Sequence, residues 1–244
     1  MEKRAQVTIF IVIGIILVAS IAVFFLIKGK VINKPEVTPE TQNIYSFIEE
    51  CIKQTGEEVV YRISNNGGYY FSPEFSTESG VPIYYSEGKN YMPAKKNIED
   101  EISDFVSKKL FFCARNFADF PDYKIKQSEI KTETSILDNK VILNIEYPLE
   151  ITKGEKTNYL SNFENIEIPA RLGIIYNAVY NLTQEQLTSN AICLNCLSDI
   201  VSINDLYVDM IDYDDETMLF IFRDENSKIN NQSLKFIYAS RYKK

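Results

Sequence analysis

The sequence has no histidine and no tryptophan, and only nine glycines. Without an imidazole there is no Ser-His-Asp triad, no Cys-His nucleophile pair, no HExxH zinc site and no imidazole proton shuttle. P-loop, GxGxxG and GxSxG patterns are missing as well, so neither a phosphate cradle nor a nucleophile elbow is written in the chain. Carboxylate, Lys or Tyr mechanisms are left, but adjacent acids such as Glu49 and Glu50 read as the polar edge of a helix. There is no internal repeat and no low-complexity tract. No cofactor is expected.

A surplus of positive charge is lacking too. The 244 residues carry a net charge of −8. Residues 1–34 contain Lys3, Arg4, Lys28, Lys30 and Lys34 against Glu2, a balance of +4 that leaves −12 for the remainder. An acidic domain repels phosphate backbones at long range, which argues against a nucleic-acid partner. What is present is ordinary for a globular protein: 45% hydrophobic and 25% charged residues. Sixteen Tyr and fifteen Phe favour sheet.

Between Arg4 and Lys28 no side chain is charged. Residues 7–27 read VTIFIVIGIILVASIAVFFLI, long enough at ~1.5 Å per residue to cross a ~30 Å hydrocarbon layer. They have no polar stripe, as a buried amphipathic helix would, and run straight into Lys28-Gly29-Lys30 rather than into a small-residue cleavage site. A single transmembrane helix is expected, with the lipid bilayer as a partner. Basic residues flank it on both sides, so the charge rule alone leans slightly to a cytoplasmic domain.

Lys3-Arg4-Ala5-Gln6-Val7-Thr8-Ile9-Phe10 resembles the start of archaeal class III, type IV pilin-like signal sequences. The resemblance implies cleavage on the cytoplasmic side between Ala5 and Gln6. The apolar helix would stay as an anchor, with the rest of the chain outside the cell. Together with IEECI at 48–52, RLGIIYN at 171–177 and CLNCL at 193–197, the chain is similar to uncharacterised membrane-anchored proteins of small-genome archaea. That group implies no established activity. Two departures separate the chain from true pilins. Pro35 and Pro39 interrupt a continued stalk, and Phe10 stands where bacterial pilins carry an acid.

Four cysteines allow three complete pairings. Cys51 lies on the apolar face Ile44, Phe47, Ile48, Cys51, Ile52, Thr55, Val59, and Cys113 on the face Ile98, Ile102, Phe105, Val106, Leu110, Cys113, Phe117. The helices that bear them could meet, giving bridges Cys51–Cys113 and Cys193–Cys196 in an oxidising compartment. Buried free thiols are the alternative. A thioredoxin-like site would need its CxxC at a helix start after a strand. Here it follows the helix-like residues 169–190 and reads as a turn. A four-thiolate zinc site is disfavoured, since Cys51 and Cys113 are not a close pair.

The expected organisation is a cytoplasmic tail (1–6), a transmembrane helix (7–27), a Pro-bearing linker (28–40) and an extracytoplasmic domain (41–244). Helices are expected at 41–64, stopped by Asn65-Asn66-Gly67-Gly68, at 97–117, and at 169–187 with Pro169 in its first turn. Hairpins are expected at 81–85 with 91–92, at 130–137 with 140–151 around Asp138-Asn139, and at 206–211 with 217–223. Further strands are expected at 163–168 and 234–238. The class is α+β, with about three helices and antiparallel hairpins.

Three clusters invite a chemical reading. Asp212, Asp214, Asp215 and Glu216, with Asp209 nearby, offer oxygens for calcium, though the spacing lacks the EF-hand pattern and a solvated turn explains it better. Tyr69, Tyr70, Tyr84, Tyr85 and Tyr91 could form a recognition surface for a glycan or surface protein, or pack across strands. Asn181 and Asn231 head glycosylation triplets. The expected function is a cell-surface structural or recognition domain. An extracytoplasmic enzyme or thiol-redox protein using the CxxC, and a pilin-like filament subunit, are the alternatives.

Overall fold

A computed structural model describes residues 38–189 and 191–242, together with Gly14. The expected tail and membrane helix, and the linker up to residue 37, lie outside the described residues. Among those described, no helix is long and apolar enough to cross a membrane. Residues Val37–Lys244 form one compact unit.

Its elements run α1 (Gln42–Asn65), β1 (Ile83–Ser86), β2 (Lys89–Asn90), α2 (Lys95–Cys113), a short turn at Arg115–Phe117, β3 (Lys124–Gln127), β4 (Lys131–Ile136), β5 (Val141–Lys153), β6 (Lys156–Ile168), α3 (Leu172–Ser189), α4 (Leu194–Asn204), β7 (Tyr207–Asp212), β8 (Thr217–Ile229) and β9 (Gln232–Arg241). The class is α+β, as expected.

Two sheets share one core. The first has strand order β2-β1-β9-β8-β7. In the second, β5 carries β6 along one edge and β4 and β3 end to end along the other. Alternation places Val141, Leu143, Ile145, Tyr147, Leu149 and Ile151 of β5 inward, each essentially without solvent exposure. The long helix α1 packs against β9 of one sheet and β6 of the other. Its buried stripe is Ile44, Ile48, Cys51, Ile52, Thr55, Val59 and Ile63, spaced by three and four. A Cβ on Gly56 would stand 2.7 Å from Leu143 Cδ1 and 3.0 Å from Ile168 Cδ1, so a larger residue here would push those side chains aside. The helix ends where Gly68 N–H reaches back to Ile63 O at 2.8 Å and Gly67 takes φ +56°, a Schellman closure.

Helix α2 buries Ile98, Ile102, Val106 and Leu110 and lies along β4. Glu99 accepts the Ile136 N–H at 2.9 Å, and the Ser103 and Ser107 hydroxyls bond the Thr134 and Thr132 hydroxyls, both at 2.8 Å. Side chains four residues apart thus cover a sheet edge that would otherwise be open.

Several expectations are corrected. The hairpins are antiparallel, but β1 runs parallel to β9, so the first sheet is mixed. Residues 38–242, as described, hold four α-helices rather than about three, because residues 194–204, expected to follow a mere CLNC turn, form α4. The second helix stops at Cys113, short of 117. Strand β6 begins at Lys156 and not at 163, since its polar first half is carried by backbone pairing to β5. Strand β8 continues past Arg223 to Ile229 through a bulge between Asp224 and Lys228 that absorbs the polar residues.

Candidate functional site

The apolar faces of α1 and α2 meet at a disulfide, Cys51–Cys113, with Cα atoms 5.8 Å apart. Above it opens a cleft of about 600 Å³ lined by Phe47, Glu50, Glu58, Lys109, Phe112, Arg115 and Asp119 among others. Lys109 is tied to Glu58, and that hydrogen bond is the main reason its ammonium is held above the usual lysine range. Phe112 stands 73% exposed at the rim.

Arg115 reaches the cleft from an unusual backbone. Arg115, Asn116 and Phe117 take φ of 44°, 52° and 57°, three consecutive non-glycine residues in the left-handed region. Such residues cost on the order of 1–3 kcal/mol each and persist only where the surroundings over-determine them. Here the restraints are identifiable. The Cys113 bridge fixes the turn on one side. The buried Phe117 ring, edge-on to Phe47 at 6.4 Å, fixes it on the other. Gln127 Nε2 donates to Asn116 Oδ1 at 2.8 Å.

Lys109 also joins the cleft to a cation–aromatic cluster. Tyr70 stacks on Phe105 at 3.6 Å, Arg62 lies 4.4 Å above the Tyr70 ring, and Lys109 is 5.9 Å from it. Lys108 sits 5.0 Å over Phe105, and Phe71, edge-on to both rings, is 64% exposed. The exposed Arg62 guanidinium over aromatic faces gives a surface suited to flat or anionic groups. Of the five expected tyrosines, Tyr70, Tyr84 and Tyr85 are buried, Tyr69 is half-buried and Tyr91 is exposed. Tyr84 donates its hydroxyl to Gly67 O at 2.7 Å and stacks on Tyr238. Most of that cluster therefore packs across elements, and the exposed ring beside Arg62 and Phe105 is Phe71.

The second bridge, Cys193–Cys196, lies at the start of α4. Cys193 is the N-cap, and its Sγ accepts the Cys196 N–H at 3.2 Å. The motif follows α3 and not a strand, as expected, but it opens a helix.

The acidic hairpin Asp212, Asp214, Asp215, Glu216 is organised as a turn. Asp214 Oδ1 accepts the N–H groups of Glu216 and Thr217, both at 2.8 Å, and the first of these is the main cause holding its carboxyl below the usual range. Among the described residues no group of three or more acidic, Cys or His side chains is placed to hold a metal. Asn231 is exposed at the tip of the β8–β9 turn. Asn181 is exposed on α3, but Thr183 of its triplet is buried, its hydroxyl bonded to Val179 O.

Sequence reasoning missed the left-handed turn, the Arg62 stack and a buried ion pair. Arg171 Nη1 bonds Asp224 Oδ1 at 2.9 Å and Nη2 bonds Asn204 O at 2.8 Å, while the fully buried Asp224 keeps Oδ2 unpartnered. A lone cation opening the apolar segment RLGIIYN was the available signal for the pair.

No family model matches the chain, and no curated protein and no solved structure matches it.

Proposed function

We propose that the protein is a single-pass, membrane-tethered domain that faces the cell exterior and serves recognition or envelope structure. The observation that carries this reading is the pairing of all four cysteines, with none left free among the described residues. Persistent disulfides belong to oxidising compartments. The uncharged run at 7–27 supplies the tether, and the pilin-like start supplies the direction.

The contact surface in this reading is the cleft over Cys51–Cys113 and the adjoining Arg62, Tyr70, Phe71 and Phe105 cluster. Its partner is a surface protein or glycan. Aromatic and guanidinium groups concentrate binding energy at such surfaces.

The test is thiol labelling of intact cells with a membrane-impermeant reagent, with and without reductant. Labelling of the half-exposed Cys193 and Cys196 only after reductant, without lysis, is expected. Labelling that requires lysis overturns the outward orientation, and release of the chain by carbonate overturns the tether.

A further inference from the structure

The two bridges are not equivalent. Cys51–Cys113 joins two core helices, whereas Cys193–Cys196 spans three positions at the beginning of an eleven-residue helix. Helix α4 is fastened by other means. Leu197 is buried, Ile200 and Val201 are half-buried, and Arg171 holds the Asn204 carbonyl at its far end.

Both sulfur-bearing residues are half-exposed, and between them Asn195 is exposed and Leu194 is 60% exposed. An incoming thiol therefore meets an accessible, partly apolar stretch, with no charged residue from 191 to 198. The first turn contains no acidic residue, so nothing there opposes negative charge at Cys193. A thiolate at an N-cap is favoured by the helix dipole, and the Cys196 N–H already points at Cys193 Sγ. Favouring the reduced, thiolate-bearing form makes the disulfide a stronger oxidant.

We propose that Cys193–Cys196 is a redox-active centre that transfers its disulfide to polypeptide dithiols. This goes beyond the recognition reading and stands independently of it.

A substrate thiolate attacks Cys193 Sγ. The Cys193–Cys196 bond breaks, and Cys196 leaves as a thiolate that takes a proton from solvent. The second substrate thiolate then attacks the substrate sulfur of the mixed disulfide and expels Cys193 as the thiolate at the helix N-terminus. The substrate loses two electrons and gains a disulfide, and the cysteine pair accepts both electrons. Of the two substrate protons, one ends on Cys196 and one in solvent. Further turnover requires reoxidation by a small-molecule disulfide.

The full chain in detergent is equilibrated with graded ratios of reduced to oxidised dithiothreitol, alkylated and mapped by mass spectrometry. The fragment with Cys193 and Cys196 is expected to reduce at a ratio at least tenfold lower than the fragments with Cys51 and Cys113. Alkylation of reduced Cys193 against pH is expected to have its midpoint below the ordinary thiol value of ~8.5. Asn195→Asp, which places a negative charge beside the thiolate without touching either cysteine, raises that midpoint. A reduced synthetic dithiol peptide is oxidised stoichiometrically by the wild-type chain and not by Cys193→Ser. Reduction of both bridges together, a Cys193 midpoint at or above the ordinary value, or a peptide left reduced by a chain whose Cys51–Cys113 bridge is intact would each overturn the proposal.

Discussion

The Cys51–Cys113 region and the Cys193–Cys196 region use the same covalent bond for different physical ends. In the first, a separation of 62 residues is closed between two amphipathic helices whose apolar faces already meet. In the second, a separation of three residues is closed within one turn of chain. Cross-linking removes conformations from the unfolded chain in proportion to the logarithm of loop length. The long bridge is thus worth about 4 kcal/mol and the short one under about 2 kcal/mol in the chain-entropy account. The largest expected effect tests this directly. Cys51→Ala with Cys113→Ala should lower unfolding stability by about 4 kcal/mol, and Cys193→Ala with Cys196→Ala by less than half of that. Urea titrations of the two double variants give the comparison, and equal losses would break it.

If the short bridge does not hold α4, the Arg171–Asp224 pair does. Arg171→Met removes the bonds to Asp224 and to the Asn204 carbonyl, leaving a buried carboxylate without a counter-charge. A loss of roughly 3 kcal/mol at neutral pH is expected. The Asp224 carboxyl is pushed above the usual range, chiefly by burial, with the Asn226 N–H and Arg171 pulling the other way. A raised carboxyl favours folding in its protonated form. Its contribution is complete below the unfolded value of ~3.9 and is lost as pH rises through the folded one. Removing Arg171 raises it further, so the defect should be greatest at pH 7 and shrink on acidification. Arg171→Met with Asp224→Asn should recover most of the loss at neutral pH. A defect that is flat with pH would assign Arg171 to packing alone.

What was legible in the sequence follows from which interactions are periodic. The faces of α1 and α2 and the alternation of β5 could be read because burial repeats at 3.6 or 2 residues, and the Cys51–Cys113 pairing followed because each thiol sat on such a face. The first half of β6 could not, because its polar side chains carry no pattern, and the far end of β8 could not, because the bulge breaks its alternation and the residues it buries there include the polar Asp224 and Ser227. Helix α4 was hidden for a related reason. It buries only Leu197, so periodicity gave no stripe, and the CxxC drew attention as a turn. The cleft was half visible. Its cysteines were on the page, but the left-handed Arg115–Phe117 turn contains no glycine or proline to announce it. Tyr70 and Phe105, 35 positions apart, become neighbours only through the packing of α2.

The smallest effect sharpens the first side of the comparison, the packed region beneath the long bridge. Tyr147 of β5 is buried, lies 6.4 Å from the Phe117 ring, and donates its hydroxyl to Gln127 Oε1 on β3. Burial pushes its phenol up to about 12. The unfolded phenol ionises near ~10, so this stabilisation is complete below that pH and is lost as pH rises through the folded value. The loss is on the order of 2 kcal/mol for a group shifted this far. In Tyr147→Phe nothing can ionise at this position, so the fall in stability between about pH 10 and 12 should be shallower than in the wild type. At neutral pH the variant should cost only about 1 kcal/mol, because Gln127 can turn to water when its partner is removed. Tyr84 and Tyr238, equally buried and likewise displaced upward by burial, keep part of the alkaline slope in both chains. Urea midpoints measured at intervals from pH 8 to 12 separate the contributions. Identical slopes in the two chains would mean that the Tyr147 hydroxyl is already hydrated in the native state, and that the core beneath Cys51–Cys113 is less tightly closed than its side chains suggest.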